Sequence, residues 1–215
     1  MNFRWVKSMK YKRIVFAGDS ITDADHLWDP GEDGLGHGYV HMISEELHNT
    51  VKPEQMPVII NSGFNGYRAE DLLRRWNTVC LQKKPDLVTL LVGVNEAGAA
   101  MEGMVTMPEQ FYRTYERLVR EVLEETGADM ILMEPFLFRY PAYLLNWRTY
   151  LQTLQPVIEE IAGKYGLPLI RLDRPLNDLA EKEGVNRITI DGIHLTEQGN
   201  RFLMKQWLNC FSGMY

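Results

Sequence analysis

The chain carries the stretch Ile14-Val15-Phe16-Ala17-Gly18-Asp19-Ser20 near its start, and this stretch predicts the fold. A short apolar run that ends in a glycine and a polar turn is typical of a buried strand. Ser20 then lies in the turn where this strand ends. Because open α/β sheets bind ligands beyond the carboxyl ends of their strands, we expect Ser20 to lie at a ligand-binding edge.

The rest of the chain alternates predicted strands and helices. We predict strands at 13–17, 57–61, 86–92, 129–134 and 167–171, and helices at 38–48, 68–82, 108–126, 147–165, 174–183 and 197–211. Strands that are separated by helices indicate a parallel sheet covered on both faces. The sequence therefore predicts an α/β fold, a three-layer α/β/α sandwich that forms a single domain over residues 1–215.

A second polar segment, Asp191-Gly192-Ile193-His194, stands near the other end of the chain. A serine hydroxyl becomes a useful nucleophile when a neutral imidazole accepts its proton and a third group fixes the tautomer of that imidazole. Ser20, His194 and Asp191 are residue types that suit these three tasks. The alternative is local structure alone, since Gly-Asp-Ser is ordinary turn chemistry and Asp191-Gly192 suits a turn before a helix capped by Thr196.

Two glycine-rich turns follow other predicted strands. The segment Asn61-Ser62-Gly63-Phe64-Asn65-Gly66 follows one apolar run, and Gly93-Val94-Asn95-Glu96 follows another. The backbone N–H of Gly63 can approach a substrate closely, and Asn95 offers a side-chain amide donor. Such donors are the parts of an oxyanion hole. Equally, Gly63 can serve only a tight turn, and Asn95 can bond to its own backbone.

In this order the four blocks resemble those of the GDSL-type lipase and esterase family, also called SGNH hydrolases. The resemblance spans nearly the whole chain and implies the flavodoxin-like strand order 2-1-3-4-5. It implies that Ser20 is the nucleophile and that His194 is the base, oriented by Asp191. It also implies an oxyanion hole made by the backbone N–H groups of Ser20 and Gly63 and the side chain of Asn95.

Within this family the chain resembles most the bacterial carbohydrate acetylesterases such as acetylxylan esterases. The resemblance implies a serine esterase that removes small acyl groups, above all acetyl, through an acyl-enzyme and without a cofactor. Two departures stand out: Ile21 replaces the leucine of the family name, and Glu96 replaces the aspartate that commonly follows the asparagine. The alternatives are a lysophospholipase or thioesterase with a longer acyl pocket, and a non-catalytic flavin- or phosphate-binding module.

Two segments are candidates for substrate recognition. The loop 22–38 is rich in carboxylates and histidines, but their spacing matches neither an EF-hand nor a zinc signature, so we expect no metal site. The segment 135–147 holds five aromatic residues after the fourth strand, which suggests an acyl or sugar pocket or a subunit interface; the alternative is burial against the protein's own helices. We predict substrate contacts for four residues: Asp19, Trp28, Phe136 and Tyr140.

Composition narrows the class of partner. A net charge of −6 over 215 residues with no basic patch argues against nucleic acid. The basic N-terminal stretch 1–13 lacks the apolar region of a secretory signal, and no apolar run is long enough to span a membrane. We therefore predict a cytoplasmic protein with a small-molecule or oligosaccharide ester as substrate. Outside a secretory context, we expect Cys80 and Cys210 to be free thiols. The apolar segment 135–147 also suits the interface of a homo-oligomer.

Overall fold

A computed structural model describes residues 9–214 and contains one five-stranded parallel sheet in the order β2-β1-β3-β4-β5. The strands are β1 (Arg13–Gly18), β2 (Val58–Gly63), β3 (Leu87–Leu91), β4 (Asp129–Met133) and β5 (Leu169–Ile170). All five lie within a few residues of the predicted positions. The α/β/α sandwich and its strand order are therefore confirmed. Residues 1–8 of the basic stretch 1–13 lie outside the described residues.

The helices cover both faces of the sheet. Six match predicted ones: α2 (Tyr39–Thr50), α3 (Ala69–Val79), α5 (Pro108–Glu125), α6 (Leu144–Tyr165), α7 (Asp173–Glu183) and α9 (Glu197–Ser212). Three short ones were not predicted: α1 (Ser20–Asp23), α4 (Val94–Met101) and α8 (Val185–Ile188). Two single 3-10 turns, Pro53–Gln55 and Leu81–Lys83, complete the set. Sequence pattern missed α1 and α4 because both begin in a turn that follows a strand.

Side chains of β1 alternate between two separate cores, one on each face of the sheet. Ile14 and Phe16 lie in the core formed with α2 and α9, where Phe16 contacts Trp207 with ring centroids 5.2 Å apart. Val15 and Ala17 lie in the core formed with α3, α5 and α6. Because β1 is central and buried on both faces, its carboxyl end is held rigidly at the middle of the sheet edge.

Gly18 ends β1 at a point where no side chain fits. A Cβ at this position would lie 2.3 Å from the carbonyl oxygen of Leu91 and 2.4 Å from Oγ1 of Thr22. This close approach joins the ends of β1 and β3 directly beneath the turn that carries Ser20. Elsewhere, Cys80 and Cys210 are free thiols, as predicted. None of the helices within residues 9–214 combines the length and the apolar character that crossing a bilayer requires.

Candidate active site

Ser20 is the first residue of α1, directly beyond the central strand. Asp19 caps this helix, since its Oδ1 accepts the N–H of Ile21 at 3.0 Å. The first amides of a helix have no intrahelical acceptor. Accordingly, the N–H of Ser20 donates to no acceptor within residues 9–214. Ser20 therefore offers a hydroxyl and an uncommitted amide at one point of the sheet edge.

A chain of hydrogen bonds links Ser20 to His194 and Asp191. The distance from Ser20 Oγ to His194 Nε2 is 2.9 Å, and that from His194 Nδ1 to Asp191 Oδ2 is 2.6 Å. Partial burial favours the neutral acid, but hydrogen bonds from the His194 ring and from two backbone amides outweigh it and lower the pKa of Asp191. An ionised carboxylate only accepts, so His194 Nδ1–H donates to it and Nε2 is left to accept from the Ser20 hydroxyl.

The loop that carries Asp191 and His194 is fixed by its own backbone. Asp191 Oδ1 accepts the N–H groups of Ile193 and His194 at 2.9 and 2.8 Å. Gly192 has φ +92°, and a Cβ there would lie 2.2 Å from the carbonyl oxygen of Tyr140. Only glycine fits this contact, which packs the segment after β4 against the loop. The geometry between carboxylate and imidazole is thereby set before any substrate binds.

The prediction that the Gly63 N–H faces an oxyanion is wrong. This amide donates to Oδ1 of Asn61 at 2.9 Å, and the Cα of Gly63 packs so closely on α1 that a Cβ would lie 2.2 Å from the amide nitrogen of Asp23. Gly63 therefore serves close packing, the purely structural reading of a turn glycine. Asn61 holds this arrangement by donating to the carbonyl oxygens of Thr22 and Leu35 at 2.8 and 2.9 Å.

Gly66, three residues later, is the glycine that sequence reasoning missed. It has φ +76°, no atom stands within 4 Å of where a Cβ would be, and its N–H donates to no acceptor within residues 9–214. Gly66 and Asn95 line one cavity of about 400 Å³, while the adjacent Asn65 lines the cleft that contains Ser20 and His194. The Asn65-Gly66 dipeptide is a strong turn signal, and it is the feature of the sequence that could have indicated Gly66.

Asn95 and Glu96 lie in the first turn of α4 and reach towards the segment that follows Gly66. Asn95 Nδ2 donates one hydrogen to the carbonyl oxygen of Tyr67 at 3.0 Å, and its second amide hydrogen has no acceptor within residues 9–214. Glu96 is buried, and its Oε1 accepts the N–H of Ala69 at 2.7 Å. Glu96 thus supports the Gly66 turn, at the position where the chain departs from the common aspartate.

Two of the predicted substrate contacts are wrong because the side chains are buried. Asp19 lies beneath Ser20 with 1% of its surface exposed, and its capping bond to α1 explains why it is held there. Burial, together with the charge of Glu96 and against the hydrogen bond from the Ile21 amide, raises the pKa of Asp19 to about 7. Phe136 is fully buried in the core shared with α2 and α9, and it packs edge-on against Phe138.

The other two predicted contacts are exposed. Trp28 has 81% of its surface exposed and does not line the cleft, to which its loop contributes Ala24, Asp25 and His37. Tyr140 is exposed beside Gly192 and therefore borders the Asp191 loop. Tyr140 is thus placed against the loop that carries Asp191 and His194.

Histidines and carboxylates of the acidic loop 22–38 pair with one another and with α2. His26 binds the buried carboxylate of Asp23, His37 lies 3.1 Å from Asp29, and Asp33 pairs with a histidine of α2 at 2.9 Å. Within residues 9–214, no three histidine, cysteine or carboxylate side chains gather as metal ligands would.

An open cleft of about 470 Å³ leads to Ser20 and His194. Nine polar and four apolar residues line it: Ser20, Ile21, Ala24, Asp25, His37, Asn65, Ile190, Asp191, His194, Leu195, Thr196, Glu197 and Asn200. A serine with a hydrogen-bonded imidazole, an oriented carboxylate and nearby amide donors can perform acyl transfer.

Comparison with known proteins gives the same family. Residues 16–202 match the model of the GDSL-like lipase/acylhydrolase family. The acetylxylan esterase of Geobacillus stearothermophilus is 26% identical over 204 residues, which cover 92% of each chain. The crystal structure of Axe2, an acetylxylan esterase from the same organism, superposes with a TM-score of 0.80 at 24% identity and covers 93% of each chain.

A further structural neighbour is LAE5, an α/β hydrolase enzyme from the metagenome of Lake Arreo. It gives a TM-score of 0.80 at 24% identity and covers 93% of this chain and 94% of its own. At this level of identity the two structural matches establish a shared fold. The family match, which extends from β1 into α9, establishes more: the chain belongs to the GDSL-like lipase/acylhydrolase family and is a carboxylic ester hydrolase.

Proposed function

We propose that this enzyme removes small acyl groups, chiefly acetyl, from carbohydrates through an acyl-enzyme on Ser20. The observation that carries the proposal is the continuous hydrogen-bond chain of 2.9 and 2.6 Å from Ser20 through His194 to Asp191. The acetyl-carbohydrate specificity is supported by the full-length similarity to a protein named acetylxylan esterase. The nine polar residues that line the open cleft can hydrogen-bond the hydroxyl groups of a carbohydrate.

Acylation begins when Ser20 Oγ attacks the ester carbonyl carbon while His194 Nε2 takes the hydroxyl proton. The carbonyl π electrons move to its oxygen, and the oxyanion accepts hydrogen bonds from the N–H groups of Ser20 and Gly66 and from Asn95 Nδ2. His194 then gives its proton to the leaving alcohol oxygen as the carbon–oxygen bond breaks. Asp191 keeps Nδ1 protonated throughout and stabilises the imidazolium.

Deacylation repeats these steps with water as the nucleophile. His194 accepts a proton from water as the water oxygen attacks the acyl carbon, and the same donors hold the second oxyanion. Collapse of the intermediate returns the proton to Ser20 and releases the carboxylic acid.

Active-site labelling tests the nucleophile. A serine-directed fluorophosphonate should leave one adduct on Ser20, found by mass spectrometry, and Ser20→Ala should abolish both labelling and covalent turnover. An adduct on another residue of active enzyme would overturn the assignment. Heat-denatured enzyme is the control, because it retains the serine and lacks the hydrogen-bond chain.

Substrate profiling tests the specificity. We expect kcat/KM to fall steeply along p-nitrophenyl esters from acetate to decanoate, and acetylated xylo-oligosaccharides to be deacetylated. A maximum at decanoate would favour the lysophospholipase or thioesterase alternative. Inactivity on every ester would instead favour a binding module.

A further inference from the structure

Glu96 and Asn95, consecutive residues of α4, both hold the segment that follows Gly66. Asn95 Nδ2 donates to the carbonyl oxygen of Tyr67 at 3.0 Å, and Glu96 Oε1 accepts the N–H of Ala69 at 2.7 Å. The two attachments are two residues apart along the segment. Attachment at two points fixes both the position and the direction of a short backbone segment.

We propose that Glu96 is a positioning residue that locks the start of α3 onto α4, so that the Gly66 N–H and the Asn95 amide converge on one oxyanion. This inference rests on the proposed function, in which both groups are oxyanion donors. Glu96 touches neither the substrate nor Ser20 in this scheme. Glu96 acts by holding the backbone at Ala69, where α3 begins.

The start of α3 needs an acceptor from outside the helix. Ala69 is the first residue of α3, so its N–H has no intrahelical acceptor. The preceding residue, Arg68, carries no side-chain acceptor, and its own N–H is taken by Asp71 Oδ2 at 3.1 Å. The carboxyl of Glu96, reaching across from another helix, fills this role and interacts favourably with the positive end of the helix dipole.

Holding the turn in this way has a cost in folding stability. Glu96 has 2% of its surface exposed, and its second oxygen, Oε2, has no hydrogen-bond partner within residues 9–214. Burial, opposed by the hydrogen bond from the Ala69 amide, raises the pKa of Glu96 to about 7. A buried carboxyl with an unpaired oxygen is destabilising compared with an apolar side chain of similar size. Such a local loss of folding stability is expected where function requires the group.

The decisive comparison is between Glu96→Gln and Glu96→Met. Both replacements are uncharged and fill a similar volume, but only glutamine keeps an oxygen that accepts the Ala69 N–H. On p-nitrophenyl acetate we expect Glu96→Gln to keep kcat within about threefold of wild type, whereas Glu96→Met lowers kcat roughly 10- to 100-fold, because small displacements of catalytic groups are that costly. KM should change by less than about twofold in both variants.

Equal kcat values for the two variants, whether both high or both low, would overturn the proposal. Glu96→Leu also lacks an acceptor but packs differently from methionine, so it shows whether a loss of kcat is due to the missing acceptor. Melting curves check that each variant is folded. Tyr115→Phe is the matched control. This variant removes another buried oxygen that has no hydrogen-bond partner within residues 9–214. Burial raises the pKa of Tyr115, and the charge of Glu96 raises it further. Tyr115 nevertheless forms no hydrogen bond to the turn.

A double-mutant cycle separates positioning from general destabilisation. If Glu96 acts through the oxyanion donors, Glu96→Met should cost much less kcat in an Asn95→Ala background than in wild type. A full additive loss would contradict the proposal. Ser20→Ala, assayed alongside, reports on the proposed function: if it retains activity, the serine mechanism fails, whereas an inactive Ser20→Ala beside a fully active Glu96→Met sinks only the positioning role.

Discussion

The buried carboxyl of Asp19 should make the stability of this enzyme depend on pH, and Asp19→Asn should remove the part of that dependence that Asp19 contributes. Burial is the main reason that the pKa of Asp19 rises from 3.8 to about 7. The folded protein therefore binds this proton more tightly than the unfolded chain does. The contribution of Asp19 to stability is complete below about pH 4 and is lost as the pH rises towards about 7.

The expected size follows from the pKa. A rise from 3.8 to about 7 corresponds to roughly 4 kcal/mol, because one pH unit is worth about 1.4 kcal/mol. Asparagine keeps a side-chain oxygen that can accept the Ile21 amide, so the cap of α1 survives the change. Relative to wild type, the free energy of unfolding of Asp19→Asn should therefore increase by roughly 4 kcal/mol between about pH 4 and about pH 7.5.

Urea denaturation followed by circular dichroism at several pH values between about 4 and 8 measures this difference. The slope of free energy against urea concentration should be the same in both proteins, so that a shifted midpoint reports stability alone. Ser20→Ala, which leaves the buried carboxyls of Asp19 and Glu96 in place, should follow the wild-type pH dependence. Parallel curves for wild type and Asp19→Asn across this range would refute the reasoning.

Four further predictions concern the site. Asp191→Asn should lower kcat/KM roughly 10³- to 10⁴-fold, because an amide no longer enforces the His194 tautomer that accepts from serine; a loss below tenfold in steady-state assays would contradict this. Asn95→Ala should lower kcat roughly 100- to 1000-fold with little change in KM, whereas a lower melting temperature with kcat retained would mark a structural role. Gly63→Ala should fail to fold, because its Cβ would lie 2.2 Å from a backbone nitrogen. Gly66→Ala, at φ +76° in open space, should fold and lose about 1 kcal/mol of its free energy of unfolding. Equal melting temperatures for the two variants would refute this distinction. Dialysis against a chelator should leave turnover unchanged, because serine, imidazole and carboxylate perform every step of the proposed chemistry; activity restored by added calcium or zinc would show otherwise.

Local sequence determines the strands, the layers and three of the predicted catalytic residues of this protein. The apolar runs and their flanking glycines predict all five strands, and the alternation with helices predicts the layers. The Asp191–His194 pair is equally local, since the two residues between them suffice to bring the carboxylate to the imidazole. Ser20 could be placed because a residue that directly follows a central strand has little choice of position.

The oxyanion donors and the substrate wall were decided only by the tertiary structure. Gly63 and Gly66 look alike in sequence, but pairing of β2 with β1 and packing on α1 commit the N–H of Gly63 to Asn61 and leave that of Gly66 uncommitted. Likewise, nothing local distinguishes a buried Phe136 from an exposed Tyr140. Which amide is free and which ring is covered depends on neighbours that are distant along the chain. Local pattern therefore determines where a strand ends, whereas the groups that face the substrate are those left unpaired once all the elements have packed.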